Sequence, residues 1–128
     1  MKIFNADFGL NQLNQNRELL CRLLNKFVDD YHSAPSDLLN MIENQQWDSA
    51  VLTIHTIKGI SGNLGLEQLY EMTNTFEMEV KAQQLSPVHL EQMTRIITET
   101  ITDIKHFIQS DDAPKTADSV PADATDNL

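Results

Sequence analysis

Cysteine is almost missing from this chain of 128 residues, and the single one, Cys21, excludes an internal disulfide and suits a reducing compartment. Glycine and proline are sparse, four of each, and no strand-like alternation bounded by hairpin turns is found. Nor is there a repeat of the solenoid or propeller kind. Basic side chains are few: 9 against 19 acidic ones, a formal charge of −10. That balance repels duplex DNA, RNA and anionic membrane surfaces, so none is expected as the main partner. The opening MKIFNADFGL has a lysine but no sustained apolar stretch, so no secretory signal is expected there. No apolar run reaches the roughly 18 residues that a membrane helix needs. Hydrophobic residues at 41% and charged residues at 22% mark a chain that folds rather than a disordered one. One soluble, acidic, cytoplasmic domain is the expectation.

Helical periodicity fills most of the chain. Leu20, Leu23, Leu24, Phe27, Val28 and Tyr31 form one stripe, with Asn16 as its N-cap. Leu38, Leu39 and Ile42 give a shorter helix after Ser33-Ala34-Pro35, ending near Gln45. A third opens at Asp48 with Ala50, Ile54, Ile57 and Ser61 on its inner side. A fourth, from about Leu66 to Gln83, turns Leu69, Met72, Phe76 and Val80 inward. The fifth starts at Ser86-Pro87 and spaces Leu90, Met93, Ile97, Ile101, Ile104 and Ile108 by three and four. Short connections between long helices predict an all-α, up-and-down antiparallel four-helix bundle with additional short N-terminal helices. From Asp111 the chain turns small, acidic and apolar-poor. Five aspartates and one lysine cannot repay the entropy of ordering, so residues 1–110 are read as the domain and 111–128 as a flexible tail.

One segment carries chemistry: Asp48 to Gly65, with His55-Thr-Ile-Lys58-Gly59 at its centre. On a helical wheel the core face of this helix lies to one side of His55, which therefore points to solvent. Val51 and Leu52 lie one turn before it, Lys58 and Gly59 one turn after, and Gly62 two turns after. A glycine in a helix interior costs about 0.5–1 kcal/mol relative to alanine, so a bare strip beside an exposed imidazole must serve the approach of something bulky. A solvent-exposed imidazole is largely uncharged and nucleophilic at neutral pH. Lys58, at i+3, lies about 5–6 Å away and complements an anion on the ring. These features fit acceptance of a phosphoryl group. No Walker-type glycine loop or carboxylate cluster for Mg²⁺ accompanies them, so the chain is expected to hold a phosphoryl group but not to activate one.

The stretch HTIKGISGNLG resembles the His-x-x-Lys-Gly signature of histidine-containing phosphotransfer (HPt) domains. FGLNQLNQNRELLCRLLNKFVDDY is similar to the entry segment of such domains, and NQQWDSAVLTIHTIKG to their approach to the active helix. The resemblance covers about residues 4 to 109. It implies a four-helix-bundle core and a histidine phosphorylated on Nε2. It also implies exchange with the aspartate of response-regulator receiver domains, which supply the Mg²⁺ and the catalysis. No cofactor or metal of the chain's own is implied. A hybrid sensor kinase is a further candidate partner, and a monomer is expected. His55 matches the phospho-accepting histidine and Lys58 the supporting lysine. Gly59, Gly62 and Gly65 match the small positions. Glu77 is the candidate for the polar side chain that the family places on the following helix; a carboxylate there is expected to repel phosphate. Val51, Leu52, Gly59, Gly62 and Glu77 together form the expected docking surface, although Val51 and Leu52 could instead be covered by the N-terminal segment.

His32, His89 and His106 lack this context and read as ordinary surface side chains. Asp103-x-x-His106 has the helical spacing of a metal pair but stands alone. Cys21 reads as a small helix residue and Trp47 as a packing anchor. Two other functions compete: a small phosphatase with His55 as base or nucleophile, and a helical adaptor that has lost the phosphate role. The first requires a cleft and an orienting partner for the imidazole. The second leaves His55 and Lys58 unexplained.

Overall fold

A computed structural model describes residues 1–84 and 86–111. The tail expected from residue 111 therefore lies, apart from Asp111 itself, outside the described residues. Among the described residues there are six helices: α1 (Ala6–Gln12), α2 (Arg17–Tyr31), α3 (Ala34–Glu43), α4 (Trp47–Leu64), α5 (Glu67–Lys81) and α6 (Pro87–Asp111). No strand occurs among them. Asn16 caps α2 as expected, its side chain accepting the Leu19 N–H at 3.0 Å, a contact worth about 1 kcal/mol. Only two residues separate α2 from α3, and Pro35 sits in the first turn of α3, where a missing N–H costs no hydrogen bond. Both helices touch α4 and α6, so they make a single wall with a break at His32-Ser33. α4 packs on α5, α5 on α6, α6 on α2 and α2 on α4, while α1 lies across α2 and α4. The result is the four-walled all-helical bundle that the periodicity predicts.

The walls meet through the expected stripes. Ala50, Ile54, Ile57 and Ser61 of α4 and Leu69, Met72, Phe76 and Val80 of α5 are all buried. In α2 the buried set is Leu20, Leu24 and Phe27, and Leu23 is exposed at its flank, as is Leu39 in α3. In α6 Met93, Ile97 and Ile104 are buried, with Thr100 between them. Leu90, Ile101 and Ile108 are only half-buried against that core. A stripe of i, i+3, i+4 spacing is wider than the contact one neighbouring wall can cover, so its margins stay partly wet.

Helix ends are set by closing turns rather than by glycine alone. At α3 the Gln45 N–H donates to Ile42 O at 3.0 Å and the Gln46 N–H to Met41 O at 2.8 Å. At α5 the Gln83 and Gln84 N–H groups repeat this toward Val80 O and Glu79 O, each at 2.9 Å. This closure needs one left-handed residue, and here it is glutamine, with φ 58° at Gln45 and 55° at Gln83. Between α4 and α5 the left-handed residue is Gly65, φ 82°. Its carbonyl accepts the Asn5 N–H at 2.8 Å, which straps the N-terminal segment so closely that a Cβ on Gly65 would lie 2.5 Å from Asn5 O.

Opposite signs follow for two substitutions in left-handed positions. Gly65→Ala adds left-handed strain and a backbone clash and is expected to cost about 2 kcal/mol or more. Gln45→Gly relieves strain and is expected to be neutral or stabilising by up to about 1 kcal/mol. Urea or thermal denaturation of the two variants measures both.

Candidate functional site

The site lies on the seam between α4 and α5. The left-handed turn at Gly65 brings α5 back antiparallel to α4, and two stripes then face each other. From α4 come Val51, His55, Lys58 and Gly62; from α5 come Tyr70, Asn74, Glu77 and Lys81. They meet in antiparallel order. A Cβ on Gly62 would lie 3.2 Å from the Tyr70 ring, Lys58 Nζ donates to Asn74 Oδ1 at 3.1 Å, and His55 Nδ1 lies 2.9 Å from Glu77 Oε2. Val51 and Lys81 line one cleft.

Glu77 is the centre of this seam. Its side chain is only 6% exposed, whereas that of His55 is 66% exposed. Oε2 accepts from His55 Nδ1 at 2.9 Å and faces Lys81 Nζ at 3.4 Å; Oε1 accepts from Lys58 Nζ at 3.1 Å. Burial by itself pushes the carboxyl group up, but the hydrogen bonds from Lys58, His55 and Lys81 outweigh it and hold it below the ordinary 4.5. An ionised carboxylate can only accept, so Nδ1 carries the ring proton and Nε2 turns its lone pair outward. Glu77 is thus met by two lysines, and the cleft beside the ring holds Lys81 together with Asp48.

These facts correct three expectations. Glu77 is not a bare charge: it is buried under the imidazole and paired with two cations. Lys58 is not a freely exposed side chain but 24% exposed and bonded to both Glu77 and Asn74. Gly62 is not part of an open strip, because its missing side chain makes room for Tyr70. Gly59 does fit the strip, since a Cβ there would meet nothing within 4 Å.

The predicted docking residues divide between two depressions. A shallow cleft of about 440 Å³ is lined by His55, Glu77, Trp47, Asp48, Val51, Leu52, Val80, Lys81 and Gln83. Leu52 is exposed and Val51 half-buried against the core. The N-terminal segment is tied to the far end of α4, at Gly65. A second groove of about 630 Å³, holding Lys58, Gly59, Gly62, Phe8 and Tyr70, lies along the seam toward that end. Asn74 and Lys81 were not singled out by the sequence. Their signal is present in it, as spacings of three and four from Glu77 on one stripe.

The other histidines are placed differently. His89 Nδ1 bonds Glu79, but no lysine or arginine pairs with that carboxylate among the described residues. His32 Nδ1 contacts the Val28 carbonyl at 3.1 Å. No group of three or more His, Cys, Asp or Glu side chains suited to a metal occurs among the described residues. None of the described helices is long and apolar enough to cross a membrane.

The depressed Glu77 carboxyl gives a signed pH dependence. A folded-state value below the unfolded one means that ionisation stabilises the fold. That contribution is complete above pH 4.5 and is lost as pH falls through the folded value. The melting-temperature difference between the native protein and Glu77→Gln is therefore expected to shrink as pH falls below 4.5. A difference that stays unchanged through this acid range contradicts the ionised Glu77.

Comparison with known proteins agrees with this geometry. The family model described as the Hpt domain matches residues 11–106, a span that holds the whole α4–α5 seam. No curated protein and no solved structure matches the chain. With the matched span covering most of its length, the chain belongs to the Hpt domain family, whose members carry phosphoryl groups on histidine in two-component phosphorelays.

Proposed function

We propose that His55 is the phospho-accepting residue, receiving its phosphoryl group from a receiver-domain aspartate and passing it to a response regulator. The observation that carries this reading is the exposed Nε2 of an imidazole whose Nδ1 is bonded to a buried carboxylate. In the transfer the Nε2 lone pair attacks phosphorus and the Nε2–P bond forms. The bond from phosphorus to the aspartyl oxygen breaks, and the carboxylate leaves on the receiver. The Nδ1 proton stays on the ring, where the new positive charge faces Glu77 Oε2. The return transfer reverses each step. The lysines that meet Glu77 place positive charge beside the ring, which a phosphoryl dianion needs.

The partner brings the rest. Receiver domains contribute the Mg²⁺ and the catalysis, and a hybrid sensor kinase is a candidate source of the phosphoryl group. The chain itself is a carrier, a monomer of the cytoplasm with its domain in residues 1–110. Its charge of −10 disfavours nucleic acid. Leu52 and Gly59 are the open parts of the docking surface, with Val51 at its margin. Gly62 shapes that surface from beneath by letting Tyr70 pack.

Incubation with a phosphorylated receiver domain tests the reading. Label that is acid-labile and base-stable is expected on the native chain and absent from His55→Gln, with helical content unchanged. Release of free phosphate without transfer would favour a phosphatase, for which Glu77 supplies an orienting carboxylate. Gly59→Gln separates docking from chemistry. Helix propensity predicts a fold firmer by up to about 1 kcal/mol. Transfer from a receiver is expected to slow roughly tenfold, about 1.4 kcal/mol of lost docking, and phosphorylation by phosphoramidate much less. Equal losses with the large and the small donor would show that the imidazole itself is disturbed.

A further inference from the structure

The two lysines on Glu77 differ in freedom. Lys58 is 24% exposed, and its ammonium donates both to Glu77 Oε1 and to Asn74 Oδ1, each at 3.1 Å. Two of its three N–H directions are thereby committed inside the protein. Lys81 is 61% exposed and reaches Glu77 Oε2 from 3.4 Å, the longest of the three contacts on this carboxylate. Such an exposed i, i+4 pair is easily released. Location separates them as well. Lys81 lines the cleft that contains His55, whereas Lys58 lines the neighbouring groove, which does not.

We propose that Lys81 is the cation that binds the phosphoryl group, and that Lys58 is a positioning residue acting through Glu77 on the imidazole. The assignment rests on His55 as acceptor. It also balances charge on Glu77. As the Nε2–P bond forms, the ring retains its Nδ1 proton and becomes an imidazolium. Glu77 Oε2 then faces a full positive charge where it had faced a neutral ring. Lys81 can leave that oxygen for a phosphoryl oxygen without stranding the buried carboxylate, which keeps Lys58 on Oε1 and the ring on Oε2. Lys58 has no such substitute: if it moved to the phosphoryl group, Glu77 Oε1 and Asn74 Oδ1 would both lose its ammonium.

Phosphoramidate is the probe, because it has no docking surface: its P–N bond breaks and ammonia leaves as Nε2–P forms. Phosphorylation is followed at varied donor concentration in the native chain, Lys81→Ala, Lys81→Arg, Lys58→Ala and His55→Gln. The tautomer of His55 is read from imidazole ¹⁵N shifts. Lys81→Ala is expected to raise the half-saturating phosphoramidate concentration about tenfold with the limiting rate constant nearly unchanged, keep the Nδ1–H tautomer, and be rescued by Lys81→Arg. Lys58→Ala is expected to shift the tautomer balance and lower the limiting rate constant more than it raises the half-saturating concentration. A native half-saturating concentration in Lys81→Ala, or a larger effect on it from Lys58→Ala, overturns the assignment. Labelling of His55→Gln overturns the acceptor reading itself, through a different variant.

Discussion

A carboxylate removed from water must find cations and donors or be protonated, and Glu77 finds them on two helices at once. Lys58 and His55 reach it from α4 and Lys81 from its own helix, one turn on. This arrangement exists only in one register of α4 against α5. A slip by a single turn would carry His55 past Glu77 and leave an anion buried without its partners. The site and the helix pairing are thus conditions of each other. Elements far from the chemistry serve the same register: the left-handed turn at Gly65, the Asn5 strap across it, and the missing side chain of Gly62 that lets Tyr70 close the seam.

The same carboxylate gives an exposed histidine one defined tautomer. A free imidazole at a surface divides its proton between two nitrogens. Here the bond to Glu77 Oε2 holds the proton on Nδ1 and directs the other lone pair outward. The charge on Glu77 is met by Lys58, Lys81 and the imidazole. The chain as a whole is strongly acidic, −10, so a polyanion would meet mostly repulsion.

What a carrier requires differs from what a catalyst requires. Its reactive atom must be reachable by another protein's active site, so exposure replaces enclosure. His55 stands on a bundle face, Gly59 leaves one side of it open, and Leu52 gives the other an exposed apolar edge. Rigidity comes from beneath, from the buried stripes of α4 and α5 that hold the two helices together.

Local pattern and tertiary register divide the information between them. The amphipathic stripes, the Asn16 cap, the helix opening at Pro87 and the exposed His55 with Lys58 were legible in the sequence. Each depends on side chains within one or two turns of a single helix, where spacing fixes geometry. The resemblance of HTIKGISGNLG to its family was legible for the same reason, since its residues are contiguous. The helix stops near Gln45 and Gln83 are legible as positions, but the left-handed conformation there is not, because glutamine carries no strong preference for it. Glu77 stands out in the sequence without its partners, Asn74 and Lys81 carry no local mark of their own, and Gly62 reads as open surface. All four depend on which residue of α5 stands opposite which residue of α4. That pairing is fixed by long-range packing, and only the folded bundle decides it.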